Sequence, residues 1–286
     1  MPRLLIAGCG YLGQAVAELF VGDEWEVEGW TQSSESAHRI SGKSYPVRAV
    51  DISDDNQVSA QKGNFEAVIH CASTRGGDVD LYRRVYLDGA RNLLQRFKGS
   101  RILFVSSTSV YAQTNGEWVS EESTAAPKPE TGKILREAEN LILGKHGIVA
   151  RLAGIYGPGR SALLKKFLSG EAMIDPAKDR FANAIHRDDA ASAIQFLLKR
   201  PESAGEIYNL VDNEPIRQSE CYRWLAEKLN RPPPPIGRST SARKRGESNK
   251  RVSNTKLRTL GWAPRYANFA AGMEQSVLPS WAQEPA

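Results

Sequence analysis

Three glycines, Gly8, Gly10 and Gly13, give the hexapeptide GCGYLG the spacing G-x-G-x-x-G. Between a strand and a helix, this spacing lets the backbone approach a pyrophosphate, which the helix N-terminus then holds through N–H groups and the positive end of its dipole. Tyr11 and Leu12 belong to the same turn and are expected cofactor contacts. About 20 residues further on, a site for NAD carries an acid that binds the ribose 2′-hydroxyl. Here the chain reads WTQSSES: Thr31, Ser33 and Ser34 offer hydroxyls, Arg39 offers a cation, and the first carboxylate is Glu35. That set favours a 2′-phosphate, so NADP is the expected cofactor, with NAD left open. Groups able to move a proton are Tyr82 and Tyr86, four apart on one expected helix face, together with His70 and His186. A further stretch, PETGKILREAE over 129–139, carries Thr131 and Leu135 on one face with Ala138 and Ile142. Lys133 lies about 200° round from Thr131 and projects from the other side. A threonine hydroxyl has no pKa near neutrality, so Thr131 can orient a ligand and cannot serve as its acid.

These residues need a scaffold, and the hydrophobic pattern supplies one. Short apolar runs at 4–7, 27–30, 47–50, 67–71, 102–106 and 148–152 read as buried strands, and helical spacing appears between most of them, notably over 80–97 and 129–143. The alternation predicts an α/β fold: a doubly wound parallel sheet with helices on both faces. Residues 1–155 form the expected dinucleotide-binding Rossmann core. Residues 156–286 form mostly a smaller substrate lobe, with a helix over 188–199, a strand over 206–211, a helix over 218–229 and elements returning to the core. The segment 230–249, NRPPPPIGRSTSARKRGESN, opposes regular structure through its proline, serine and charge and reads as a surface loop.

Six segments read in order carry a resemblance: VIHCAS (68–73), FVSSTSVY (104–111), RLAGIYGPG (151–159), IHRDDAA (185–191), IYNLVD (207–212) and KRVSNTKLRTLGW (250–262). Together they resemble the extended short-chain dehydrogenase/reductases, the NAD-dependent epimerase/dehydratases, and among these look most like the atypical YeeZ-like branch. The resemblance implies that Ser107, four residues before Tyr111, hydrogen-bonds the reacting oxygen, with Tyr111 on the substrate side. It also implies cofactor contacts from Asp51, Ile52, Cys71, Ala72 and Ser73. Arg160, Arg180 and Arg251 are expected to converge on an anionic group of the substrate, since the family's diphosphate contacts come from this region and guanidinium suits phosphate.

Three positions depart from that pattern. Family members place a tyrosine and a lysine four residues apart on the helix after the Ser/Thr strand; aligning Gly132 and Glu139 puts Thr131 and Leu135 there. The family's asparagine on the preceding helix corresponds to Tyr86. Proton transfer would then fall to another group, and Tyr86, whose helix should pass beside the nicotinamide, is the expected one. Two readings follow: an NAD(P)-dependent epimerase, dehydratase or reductase acting on an anionic small molecule, or a non-catalytic NADP-binding sensor.

The bulk numbers narrow the classes. The net charge is +5, yet 217–265 holds 13 Lys/Arg against 3 Asp/Glu, leaving the rest of the chain net acidic. Such a stretch suits an anionic ligand or simply a solvated surface. Nucleic-acid binding through Arg243, Lys244 and Arg245 is the weakest reading, because no nucleic-acid motif accompanies them. Cys9, Cys71 and Cys221 lack the spacing of a zinc site or a disulfide framework, so no metal is expected and a reducing cytoplasm fits. The apolar N-terminal run is split by glycines and followed by Glu18, which argues against a signal peptide or a membrane span.

Overall fold

The computed structural model describes residues 1–74, 76–238 and 248–281. Seven parallel strands form the central sheet: β1 (Arg3–Ala7), β2 (Glu26–Thr31), β3 (Val47–Ala49), β4 (Ala67–His70), β5 (Arg101–Ser107), β6 (Ile148–Leu152) and β7 (Ile207–Leu210). Their order is β7-β6-β5-β4-β1-β2-β3. Runs such as Leu4–Leu5–Ile6–Ala7 are fully buried because helices cover both faces, which is why these strands read as continuous apolar stretches rather than alternating ones. β7, expected within the smaller lobe, completes the edge of this sheet beside β6.

The strand order reverses between β1 and β4, which pair in register from Leu4–Ala67 to Ala7–His70. Chains leaving two neighbouring strands in opposite directions open a crevice at their carboxyl ends. The Gly8 loop and the segment after His70 face each other there.

The helix expected over 80–97 runs as Val79–Tyr82, a π-turn over Arg83–Asp88, and Gly89–Arg96. A π-turn widens the helix and frees a carbonyl from the usual ladder. His70 answers it: its Nε2 donates to Val85 O at 3.1 Å. Gly89 lets the same helix pass close to Ile52, since a Cβ there would stand 2.8 Å from Ile52 Cδ1.

Beyond β6 the chain builds a second core around Tyr156, Leu164, Tyr222, Leu225, Phe269 and Met273. Two two-stranded pairs frame it, Gly154–Tyr156 with Ala184–His186 and Phe181–Ala182 with Ile216–Arg217, while a third, Glu117–Val119 with Lys250–Val252, packs Val119 and Val252 into the main core. Helices Arg187–Leu198 and Gln218–Lys228 match the expected ones within a residue. No helix among the described residues is long and apolar enough to cross a membrane.

Candidate functional site

The glycine loop is closed by local geometry. Gly8 has φ +105°, and a Cβ on it would stand 2.2 Å from Ala72 N. A Cβ on Gly13 would stand 2.5 Å from Gly8 O. These two positions need glycine for the tight turn and for the passage of the segment after β4. Gly10 differs: the nearest atom to a Cβ there is Gly8 O at 4.0 Å, so its side is open. The helix Tyr11–Gly22 that follows has no acidic residue in its first turn and no side-chain cap. An open glycine at an uncapped helix N-terminus fits a dinucleotide pyrophosphate.

Around the loop, Cys71 Sγ donates to Gly8 O at 3.2 Å, and burial pushes the Cys71 thiol pKa up. Cys9 is raised to about 11 by burial, so both cysteines are packing groups rather than nucleophiles. At the end of β2, Thr31 Oγ1 is turned towards Ser33 O and Arg48 O, at 3.3 and 3.5 Å. The exposed groups there include Ser33, Ser34 and Arg39, with Ser36 half-buried and Glu35 4.0 Å from Arg39. Ser33 Oγ and Ser36 Oγ lie 3.1 Å apart, and Arg39 donates to Ser36 Oγ at 3.1 Å. Asp51, past β3, loses solvation on burial, but hydrogen bonds from Ser53 and Gln32 outweigh this and hold its pKa below the usual range. Ile52 is buried, with its carbonyl accepting from Asn92 Nδ2 at 2.9 Å. Ser73 stands just after Ala72 in the segment facing Gly8.

Ser107 ends β5, and its Oγ accepts from Ser109 N at 3.2 Å. That bond uses a lone pair and leaves the hydroxyl hydrogen available for a ligand oxygen. Thr131 is the second residue of helix Glu130–Leu143 and is half-buried, whereas Leu135 is 3% exposed. The Thr131–Leu135–Ala138–Ile142 face is therefore largely a packing face; only its first residue is open. Lys133 points away and pairs with Glu130 at 3.0 Å. Tyr86 is 9% exposed and packs against Tyr82 at 5.0 Å, with His70 and Phe104 completing an aromatic cluster. Burial lowers the His70 pKa to about 4, which makes it a neutral structural donor.

Four residues are expected on the substrate side: Tyr111, Arg160, Arg180 and Arg251. Tyr111 is wholly buried: its hydroxyl donates to Asn209 Oδ1 at 2.9 Å and accepts from Arg151 at 2.8 Å, so it joins β5, β6 and β7 from inside. Arg160 stands apart from Arg180 and Arg251, which share the neighbourhood of Phe181 and Lys250. Arg160 lies 5.2 Å over the Tyr11 ring. Arg251 donates to Gly116 O at 2.8 Å and lies between Trp118 and Phe181, at 5.1 and 5.2 Å. Arg180 neighbours Lys250, whose pKa burial lowers to about 8 with a contribution from that arginine. Arg243, Lys244 and Arg245 lie outside the described residues.

Several groups had no signal in the sequence. Glu139 is fully buried and accepts from Ser106 Oγ at 2.5 Å, from Arg151 Nη2 at 2.8 Å and from Arg136. This network anchors β5 and β6 to the helix bearing Thr131. Lys250 Nζ reaches Tyr111 O at 2.9 Å. Arg187, like Arg160, lies 5.2 Å over the Tyr11 ring. Only the periodic mismatch of a charged residue on an apolar helix face could have pointed to Glu139.

A family model described as the NAD dependent epimerase/dehydratase family matches residues 4–210. None of the curated proteins matches the chain. Among solved structures, one titled a putative NAD-dependent epimerase/dehydratase from Methylobacillus flagellatus is 27% identical, with TM-score 0.79 and 99% of each chain covered. A protein of Silicibacter pomeroyi described as functionally unknown is 23% identical, with TM-score 0.77 and coverage of 99% of this chain and 100% of that one. A dTDP-glucose 4,6-dehydratase of Bacillus anthracis in complex with NAD shares the fold at 16% identity, TM-score 0.82, over 99% and 98% of the two chains.

Proposed function

Because the chain belongs to the NAD dependent epimerase/dehydratase family, we propose that it is an enzyme using a nicotinamide cofactor, NADP in preference to NAD, on an anionic small molecule. The observation that supports this most is the pairing of an open, uncapped glycine loop at the sheet's reversal point with a strand-end serine whose hydroxyl can donate. Gly8, Gly10, Gly13, Tyr11 and Leu12 would hold the pyrophosphate. Ser33, Ser36 and Arg39 would hold the 2′-phosphate, with Asp51 and Ile52 towards the adenine end. When bound, the cofactor supplies hydride acceptance or donation.

Ser107 would hydrogen-bond the substrate oxygen where charge develops, a role that needs geometry rather than a shifted pKa. Thr131 can hold a substrate hydroxyl or carbonyl in register. With Leu135 in the lysine position, no cation on that helix face lowers a neighbouring acid, and Lys133 is engaged on the far side. Proton transfer is assigned to Tyr86, on the facing helix, with phenolic chemistry that threonine lacks. The test is a metabolite screen of purified protein followed by NADPH absorbance, with anionic carbonyl and hydroxyl compounds as the main panel. Turnover with Ser107→Ala reduced by about 10² or more supports the assignment; undiminished turnover of that variant counts against it.

A further inference from the structure

Tyr11, the first residue of the glycine-loop helix, reaches across to the substrate lobe. Its hydroxyl donates to Pro158 O at 3.0 Å. The turn it touches is closed by reciprocal bonds, Gly157 N to Arg160 O at 2.9 Å and Arg160 N to Gly157 O at 3.0 Å. Gly157 has φ +156°, and a Cβ there would stand 2.6 Å from Tyr11 Oη, so this turn is seated directly on the tyrosine.

Two guanidinium groups from separate segments meet the same ring. Arg160 comes from that turn and Arg187 is the first residue of helix Arg187–Leu198, and each lies 5.2 Å from the Tyr11 centroid. Arg187 is held by Asp188 at 2.8 Å. Arg160 is exposed and forms no ion pair among the described residues. The cations therefore stand beside a helix N-terminus that carries no acid in its first turn. A helix end supplies only about half a positive charge, whereas a pyrophosphate carries two negative ones. Guanidinium groups match phosphate oxygens bidentately and supply what the helix end lacks.

We propose that Arg160 and Arg187 are cofactor-binding residues that hold the dinucleotide pyrophosphate from the lobe side, opposite the glycine loop, and that Tyr11 positions them. This inference rests on the cofactor reading above, and it moves Arg160 from the substrate to the cofactor. The 157–160 turn is already seated on Tyr11, so the dinucleotide meets a preformed wall of the lobe.

The test titrates NADPH, ADP-ribose and adenosine 2′-phosphate, which lacks the pyrophosphate, against the wild type and against Arg160→Ala, Arg160→Lys, Tyr11→Leu, Tyr11→Phe and Arg160→Ala/Arg187→Ala variants at low and high salt. Thermal unfolding of each variant confirms that it is folded. NADPH and ADP-ribose should bind about tenfold more weakly or worse to Arg160→Ala and to the double variant, the scale of a lost charge-assisted bond. Adenosine 2′-phosphate should be unaffected, and the salt dependence should shrink in Arg160→Ala but persist in Arg160→Lys. Tyr11→Leu should follow Arg160→Ala, while Tyr11→Phe, which keeps the ring, should lose less. A wild type that binds NADPH and ADP-ribose with a double variant that binds them equally tightly overturns this inference alone. A wild type that binds neither removes the cofactor reading and this inference with it.

Discussion

At the scale of single residues, a buried acid of the lobe offers a direct test of the packing. Asp212 is 2% exposed, and burial, with Glu214 and Asp189 nearby, raises its pKa to about 8. An unfolded aspartate titrates near 4. Between about pH 4 and 8 the unfolded chain has released this proton while the folded one retains it, so folding stability falls as pH rises across that window and levels off above it. Asp212→Asn should therefore flatten the pH dependence and raise stability at pH 8 by roughly 1–3 kcal/mol, read by denaturant titration. An unchanged slope would mean that the carboxyl is ionised in the fold. The site residues are tested by kinetics: with a substrate in hand, Tyr86→Phe should slow turnover by about 10² or more and Thr131→Ala only modestly. The opposite ranking would transfer the acid role away from Tyr86.

At the scale of elements, the helix Glu130–Leu143 is fixed to the sheet by the ion pair of Glu139 together with its apolar face of Leu135, Ala138 and Ile142. Glu139→Leu leaves the Arg151 guanidinium buried, with Tyr111 Oη its remaining side-chain hydrogen-bond partner among the described residues. Loss of about 3–5 kcal/mol is expected, the cost of breaking a buried pair from one side, and chemical denaturation measures it. A loss below about 1 kcal/mol would show that the network is not a structural anchor. The strands and the glycine loop were legible in the sequence because their signals are local: apolar runs, glycine spacing and helical periodicity within a few residues. The π-turn was not, because it depends on His70 reaching Val85 from another element. The seating of Tyr11 on Pro158 and of Lys250 on Tyr111 joins residues 147 and 139 apart, which no periodicity records. Tyr111 misled for the same reason: its motif marks a strand end, while its hydroxyl is taken by Asn209 on β7 and Arg151 on β6.

At the scale of the whole molecule, the parallel sheet reverses between β1 and β4, Ser107 closes β5 at the same carboxyl edge as the glycine loop, and Tyr11 ties that loop to the lobe turn of 157–160. The proposed preference for NADP rests on the Ser33–Ser36–Arg39 chain just past the end of β2, where Thr31 stands in place of an acid. Arg39→Ala should therefore weaken NADP binding by about tenfold and leave NAD binding nearly unchanged, since only the 2′-phosphate is lost to it. The measurement that bears most directly on the account is calorimetric titration of NADP and NAD into the purified protein under one buffer and salt condition. One site per chain is predicted, with NADP bound about tenfold or more tightly than NAD, the scale of one charge-assisted phosphate contact. Tighter binding of NAD, or heat from neither cofactor, would contradict it.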